Sequence, residues 1–141
     1  MDDLYLKIKE TYGLSDVKPE EVAPLILAHI GDAVYEVVIR SLVLSEGNRP
    51  IEKVHREATS LVNAGFQAKL ADILMPLMTE EELDIYKRGR NAKSNTKAKN
   101  ASVSDYRKAT GFEALVGFLY LCNRNDRMLE LIKEGINNAK E

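Results

Sequence analysis

A chain of 141 residues and 15.8 kDa has room for one domain, residues 1–141, and none for a second folded module. Its 45% hydrophobic and 30% charged residues are globular in balance, and the single cysteine, Cys122, excludes a disulfide framework or a multi-cysteine zinc site within one chain. The net charge of −2 is unevenly spread: residues 87–108 hold eight basic side chains against one acid, Asp105, so that segment carries +7 and the remainder −9.

Taken in chain order, the spacing of apolar residues is helical throughout, and the expected fold class is all-α. The opening MDDLYLKIKE has acids where an export signal has basic residues, which with the lone cysteine sets the expectation of a cytoplasmic protein. Residues 3–11 read as a short amphipathic helix closed by Gly13. Lys-Pro-Glu-Glu at 18–21 leads into a long helix over about 23–45, with Gly47 just past its end. Pro50 suits a first helical position, and 51–77 gives one or two helices with a break near Asn63-Ala64-Gly65. Thr79-Glu80-Glu81-Glu82 is a capping box that starts another helix. From 89 to 102 the aperiodic Asn, Ser, Lys and Ala read as a loop, after which Ser104 can cap a helix over 105–122. Asn125-Asp126 starts the last helix, to about 140. The longest apolar stretch, 114–122, has nine residues even with Gly117 counted, so no membrane span is expected.

Two acids stand out against this background. On the long helix Ile26, Leu27, Ile30, Val34, Val37 and Val38 form one broad apolar face, with His29, Asp32, Glu36 and Arg40 opposite. Leu25, Ala28, Tyr35 and Ile39 border Asp32, which predicts a partly enclosed carboxylate. Between Tyr106 and Cys122 the sole acid is Glu113, among Tyr106, Ala109, Thr110, Gly117 and Tyr120, and such a group needs a partner. Gly31 precedes Asp32 and Gly117 follows Glu113 by one turn, giving up helix propensity for close packing or for ligand space. If the two faces meet, the acids offer oxygen ligands alone, which suits Mg²⁺ or Mn²⁺ better than zinc. A carboxylate paired with a buried Arg or Tyr is the competing reading. His29 and His55 have no zinc-ligand spacing, Cys122 reads as core, and no phosphate-binding glycine loop, HExxH or GxSxG is present.

His29-Ile30-Gly31-Asp32-Ala33-Val34-Tyr35-Glu36 resembles the signature helix of the ribonuclease III catalytic domain, and Phe112-Glu113-Ala114-Leu115-Val116-Gly117 resembles its second acidic motif. His55-Arg56-Glu57-Ala58-Thr59-Ser60, Lys87-Arg88-Gly89-Arg90-Asn91-Ala92 and Tyr106-Arg107-Lys108-Ala109-Thr110 are similar to the compact bacterial Mini-ribonuclease III branch, and the likeness covers about residues 20–125. The resemblance implies a helical bundle of the ribonuclease III endonuclease-domain type, homodimeric, cleaving double-stranded RNA with Mg²⁺ or Mn²⁺. It implies Asp32 and Glu113 as catalytic and metal-site residues, and precursor large-subunit ribosomal RNA as substrate. With no separate RNA-binding domain expected in 141 residues, the +7 segment is the candidate RNA contact: Arg88, Arg90, Asn91, Lys93, Lys97, Lys99, Arg107 and Lys108. A solvated loop is the bland alternative for that segment.

Where larger family members carry two more acids, this chain has Ala28 and Thr110. Two carboxylates neutralise one divalent ion, so one ion completed by water and RNA phosphate is expected rather than a densely caged pair, with a second ion recruited by the substrate as the alternative. Glu36, one turn beyond Asp32, either supports the site from behind or pairs with Arg40. The departures also sustain a rival reading, a non-catalytic helical RNA-binding module acting in ribosome assembly. A weaker third is a helical metal-dependent nucleotide hydrolase.

Overall fold

A helix that is apolar on every side has to be surrounded, and the stretch from Ala109 to Leu119 contains one residue that is not fully buried, Glu113. In a computed structural model, which describes residues 3–93 and 102–140, this stretch belongs to the central helix of an all-α bundle. The described residues form α1 (Leu4–Tyr12), α2 (Pro24–Leu44), α3 (Ile51–Val62), α4 (Ala64–Leu74), α5 (Glu80–Asn91), α6 (Val103–Leu121) and α7 (Asn125–Ala139), with 3₁₀ turns at Pro19–Glu21 and Met75–Leu77. Helices α2, α4, α5 and α7 pack around α6, and α3 bridges α2 and α4. Among the described residues none is in a strand, and no helix is long and apolar enough to cross a membrane.

Local chemistry fixes most of the ends. Gly13 closes α1 at φ 60°, a left-handed conformation that costs a residue without Cβ little. The expected break at 63–65 is real: Asn63 leaves the helix and its Oδ1 accepts from the Phe66 amide at 2.9 Å, capping α4. The capping box is also real, with Thr79 and Glu82 each satisfying the other's amide. Pro50 precedes α3 as its cap rather than entering it.

Three expectations are corrected. Helix α5 continues through Gly89 to Asn91, because Gly89 is pressed against α6: a Cβ there would lie 2.8 Å from Ala114 Cβ and 2.9 Å from Gly111 Cα. Packing thus overrides a weak propensity. Helix α6 starts at Val103, capped by Ser102, whose Oγ accepts from the Asp105 amide at 3.0 Å, so Ser104 lies inside the first turn. The buried line of α2 is Leu27, Gly31, Tyr35, Ile39 and Val43 with Ala28, whereas Ile26 and Val37 are 60% and 65% exposed.

Tyr35, fully buried, sets its ring edge-on to Phe112 at 5.2 Å and donates its hydroxyl hydrogen to the Leu61 carbonyl at 2.7 Å, tying α2 to α3 and α6 at one point. Burial raises its pKa. Glu82, 3% exposed, is gripped by the Arg127 guanidinium through two hydrogen bonds of 2.9 Å, and the same guanidinium donates to the Leu77 carbonyl at 2.8 Å. Burial would raise the Glu82 pKa, but the bonds from Arg127 and Thr79 outweigh it and hold the carboxyl below its usual range.

Among the described glycines, those at the crossing of α2 and α6 have the least room. A Cβ on Gly31 would stand 1.8 Å from the Glu113 carbonyl oxygen, and one on Gly117 would stand 2.0 Å from the Leu27 carbonyl oxygen. Gly31→Ala is therefore expected to cost about 3 kcal/mol or more in urea unfolding, since two backbones must separate. Gly135→Ala meets flexible Leu70 and Leu74 methyls at 3.1 Å and 3.3 Å and gains helix propensity, so it should fall within about 1 kcal/mol of the parent.

Candidate active site

The crossing of α2 and α6 carries the two acids. Asp32 follows Gly31, and Glu113 is the residue whose carbonyl Gly31 presses on, so neither acid can move away without parting the helices. Their carboxyl groups come within hydrogen-bonding reach. Glu113 is half-buried, whereas Asp32 is exposed, which corrects the expectation of a partly enclosed Asp32. Its apolar neighbours Tyr35 and Ile39 turn into the core and leave it at the rim. Of the two explanations for the glycines, close packing is the one observed.

Burial is the largest influence on Glu113, followed by the hydrogen bond and the negative charge of Asp32; together they push its pKa up to about 8, against a smaller downward pull from Gln67. The charge of Glu36 adds to the rise. Glu36 accepts from Arg40 at 2.8 Å on the exposed side of α2, so it makes the ion pair with Arg40 and also lies within the field of Glu113. Ala28 and Thr110, one turn before each acid, are buried, and the Thr110 hydroxyl donates to the Tyr106 carbonyl at 3.0 Å. No third His, Cys, Asp or Glu among the described residues completes a metal cluster with the pair.

Gln67 was not legible as a site residue. It sits in the first turns of α4, 2% exposed, near the Glu113 carboxyl, and its Nε2 makes no well-formed hydrogen bond. The available signal was an amide in an apolar slot: Gln67, Leu70, Ala71 and Leu74 make one helical row.

The basic residues are divided. Arg90, Asn91, Arg107 and Lys108 line a cleft of about 370 Å³ with Val103 and Ser104, between the end of α5 and the start of α6. Arg90 lies over the Tyr86 ring at 5.6 Å, and Lys108 is paired with Asp72 at 3.1 Å. Arg88 turns elsewhere and donates to the Glu20 carbonyl at 3.1 Å, while Lys93 is exposed. Lys97 and Lys99 lie outside the described residues. His29 and His55 are exposed and Cys122 half-buried. A larger hollow of about 770 Å³, between α2, α3 and α7, includes neither acid.

Two oxygen-donor side chains, one half-buried and holding a proton against the other's charge, form a donor set that fits a hard divalent cation. The fold and the site together define a class. The ribonuclease III domain pattern matches residues 25–124, and the chain belongs to that family of endoribonucleases. Its relatives narrow the placement to the Mini-ribonuclease 3 branch. Mini-ribonuclease 3 of Clostridium tetani is 44% identical over 133 residues, spanning 94% of this chain and 87% of that protein. Mini-ribonuclease 3 of Enterococcus faecalis is 48% identical over 119 residues, spanning 83% and 90%. A crystal structure of a Fusobacterium nucleatum protein superposes with a TM-score of 0.77 at 29% identity, over 84% of this chain and 95% of that one.

The raised Glu113 pKa fixes the sign of a pH dependence. Folded, Glu113 keeps its proton from pH 4.5 to about 8 while the unfolded chain has lost it, so this group's contribution to stability is full below 4.5 and declines as pH rises to about 8. The decline is expected to be at most about 5 kcal/mol. Urea unfolding in chelator should show Glu113→Gln gaining on the parent between pH 5 and 8.5, and a constant difference would contradict the buried, proton-holding carboxyl.

Proposed function

We propose that this chain is a homodimeric, divalent-metal-dependent endonuclease for double-stranded RNA, with Asp32 and Glu113 as its catalytic and metal-holding residues. The observation that carries the reading is the glycine-set crossing that presses two carboxyl groups together, one of them half-buried. A module that merely bound RNA would gain nothing from negative charge there.

Asp32 and Glu113 would hold Mg²⁺ or Mn²⁺, which when bound would supply positive charge for the scissile phosphate and acidify water for the attack. The chain's own part is positional. Glu113, anchored beneath, gives up its proton to serve as a ligand, and Asp32 at the rim meets the substrate side. Glu36, tethered by Arg40, keeps the local field negative and favours a cation between the acids. The cleft of Arg90, Asn91, Arg107 and Lys108 binds backbone phosphates of the duplex, joined by Lys93, Lys97 and Lys99. Arg107 precedes Glu113 by six residues, roughly 9 Å along the α6 axis, so phosphate grip and acid pair share one rigid element. Arg88, committed to the Glu20 carbonyl, contributes least to this grip. The substrate we assign is precursor large-subunit ribosomal RNA, in the cytoplasm, a reading supported by the likeness to the Mini-ribonuclease 3 proteins.

The exposed side of α2 supports the dimer. Ile26, Ile30, Ala33 and Val37 follow at helical spacing, and Ile26 and Val37 stand in solvent. This stripe runs beside Asp32 and Glu36, so a second copy packed on it by a two-fold axis brings two acid pairs to the two strands of one duplex. Light scattering at micromolar concentration should give about twice the 15.8 kDa chain mass. Val37→Asp should shift it toward the monomer, and an active monomeric parent would contradict the arrangement.

Asp32→Asn and Glu113→Gln should each lower Mg²⁺-dependent cleavage of duplex RNA by at least about a hundredfold, with helical content unchanged. Duplex binding in chelator should persist or tighten, because a charge near the phosphates has been removed. Turnover near that of the parent in either variant would refute the assignment.

A further inference from the structure

We propose that Gln67 is a positioning residue for Glu113: its side-chain amide, lodged between α4 and α6, donates to the Glu113 carboxylate and holds it turned toward Asp32. The proposal rests on the acid pair being the metal site. Gln67 is 2% exposed, so it touches neither RNA nor bulk solvent, and whatever it does it does through a buried neighbour. The neighbouring charged group is Glu113, which feels the amide directly.

The chemistry of an amide explains why this row of α4 departs from apolar residues. Leu70, Ala71 and Leu74 continue the row into the core, and a leucine at position 67 would bury as much surface with no polar atom to satisfy. Instead Nε2 is buried without a well-formed hydrogen bond although the Glu113 carboxyl is near, and an unmet buried donor is costly. A carboxylate is the acceptor that removes this cost. Glu113 supplies one: one of its oxygens can face Asp32 while the other accepts from Gln67. Orienting a ligand from behind is the known work of groups in this position around metal sites.

The frame for the contact is rigid. Asn63 caps α4 and fixes its first turn, and Tyr35 ties the preceding α3 to α2 through the Leu61 carbonyl. The amide therefore has its location set from two sides. Ala28 and Thr110, one turn before each acid, carry no charge, so the group that steadies Glu113 from behind is a neutral donor.

The test uses the full chain with Gln67→Leu and Gln67→Met, both close in size and lacking the donor. Mn²⁺ binding without RNA, followed by the electron paramagnetic resonance of the free ion, should weaken about 10- to 100-fold. The Mg²⁺ concentration for half-maximal duplex cleavage should rise by a similar factor. Duplex affinity in chelator should stay the same, and the urea midpoint should stay or rise. Parental Mn²⁺ affinity and Mg²⁺ dependence in a folded variant would overturn the proposal, as would a lowered midpoint with metal affinity untouched. Should Gln67→Leu not fold, Gln67→Met decides; failure of both to fold would make Gln67 a packing residue and also overturn it. A parent that neither binds Mn²⁺ nor cleaves duplex RNA would defeat the acid-pair reading itself, whereas a parent that does both and is matched by the variants defeats the role of Gln67 alone.

Discussion

The approach of α2 to α6 at Gly31 and Gly117 is the constraint from which the site follows. Each glycine faces a carbonyl oxygen of the opposite helix, so the interhelical distance is set by backbone atoms rather than by the packing of side chains. Backbone geometry is stiff, and the separation of Asp32 from Glu113 inherits that stiffness. The same crossing leaves no room for the Glu113 carboxyl to retreat into solvent, which is why burial dominates its pKa. Gly89 and Gly111 repeat the device on the other flank of α6, bringing α5 and its basic end close. Four glycines thus trade helix propensity for contact, and the contacts arrange both the acids and the basic side chains of the α5–α6 cleft around one central helix.

An arrangement of this kind stores repulsion. Two carboxyl groups held together without a cation are relieved by protonating one of them, and the half-buried Glu113 is the one that takes the proton. An ion that replaced that proton would stabilise the folded chain, because the unfolded chain has no comparable pair. On the proposed function, the pair would cost stability without a cation and return it with one. Arg40 moderates the field by pairing with Glu36 on the solvent side, but no cationic side chain is bonded to the pair itself among the described residues.

Much of this was legible from residue order, for physical reasons that differ from place to place. Glu113 stood out because a lone acid in an apolar helix has to be accounted for, and Gly31 and Gly117 because a helix interior does not lose propensity without return. Helix ends with side-chain caps, at Asn63 and Thr79, were readable for the same local reason. What failed depended on neighbours distant in sequence. The exposure of Asp32 and the solvent-facing Ile26 and Val37 follow from which side of α2 meets α6, and that choice is made by the partner helix. The run of α5 past Gly89 depends on Gly111 and Ala114 in the same way. Gln67 escaped notice because a single amide in a helical row is ordinary until the carboxyl it faces is known.

The grip of Arg127 on Glu82 has a consequence for how the last helix finds its seat. Helix α7 buries Met128, Ile132 and Ile136 in one row and Leu131, Gly135 and Ala139 in another, both with a four-residue repeat. Rows of that kind match the bundle nearly as well after a slide of one turn, because apolar contact is indifferent to which aliphatic group fills a given hollow. A forked guanidinium is not indifferent. It must meet both oxygens of Glu82 and the Leu77 carbonyl at once, and a displacement of one turn, about 5.4 Å, leaves a buried carboxylate with no counter-charge. The pair thus acts as an index pin: whatever it adds to the stability of the bundle, it distinguishes one seating of α7 from its near-degenerate neighbours.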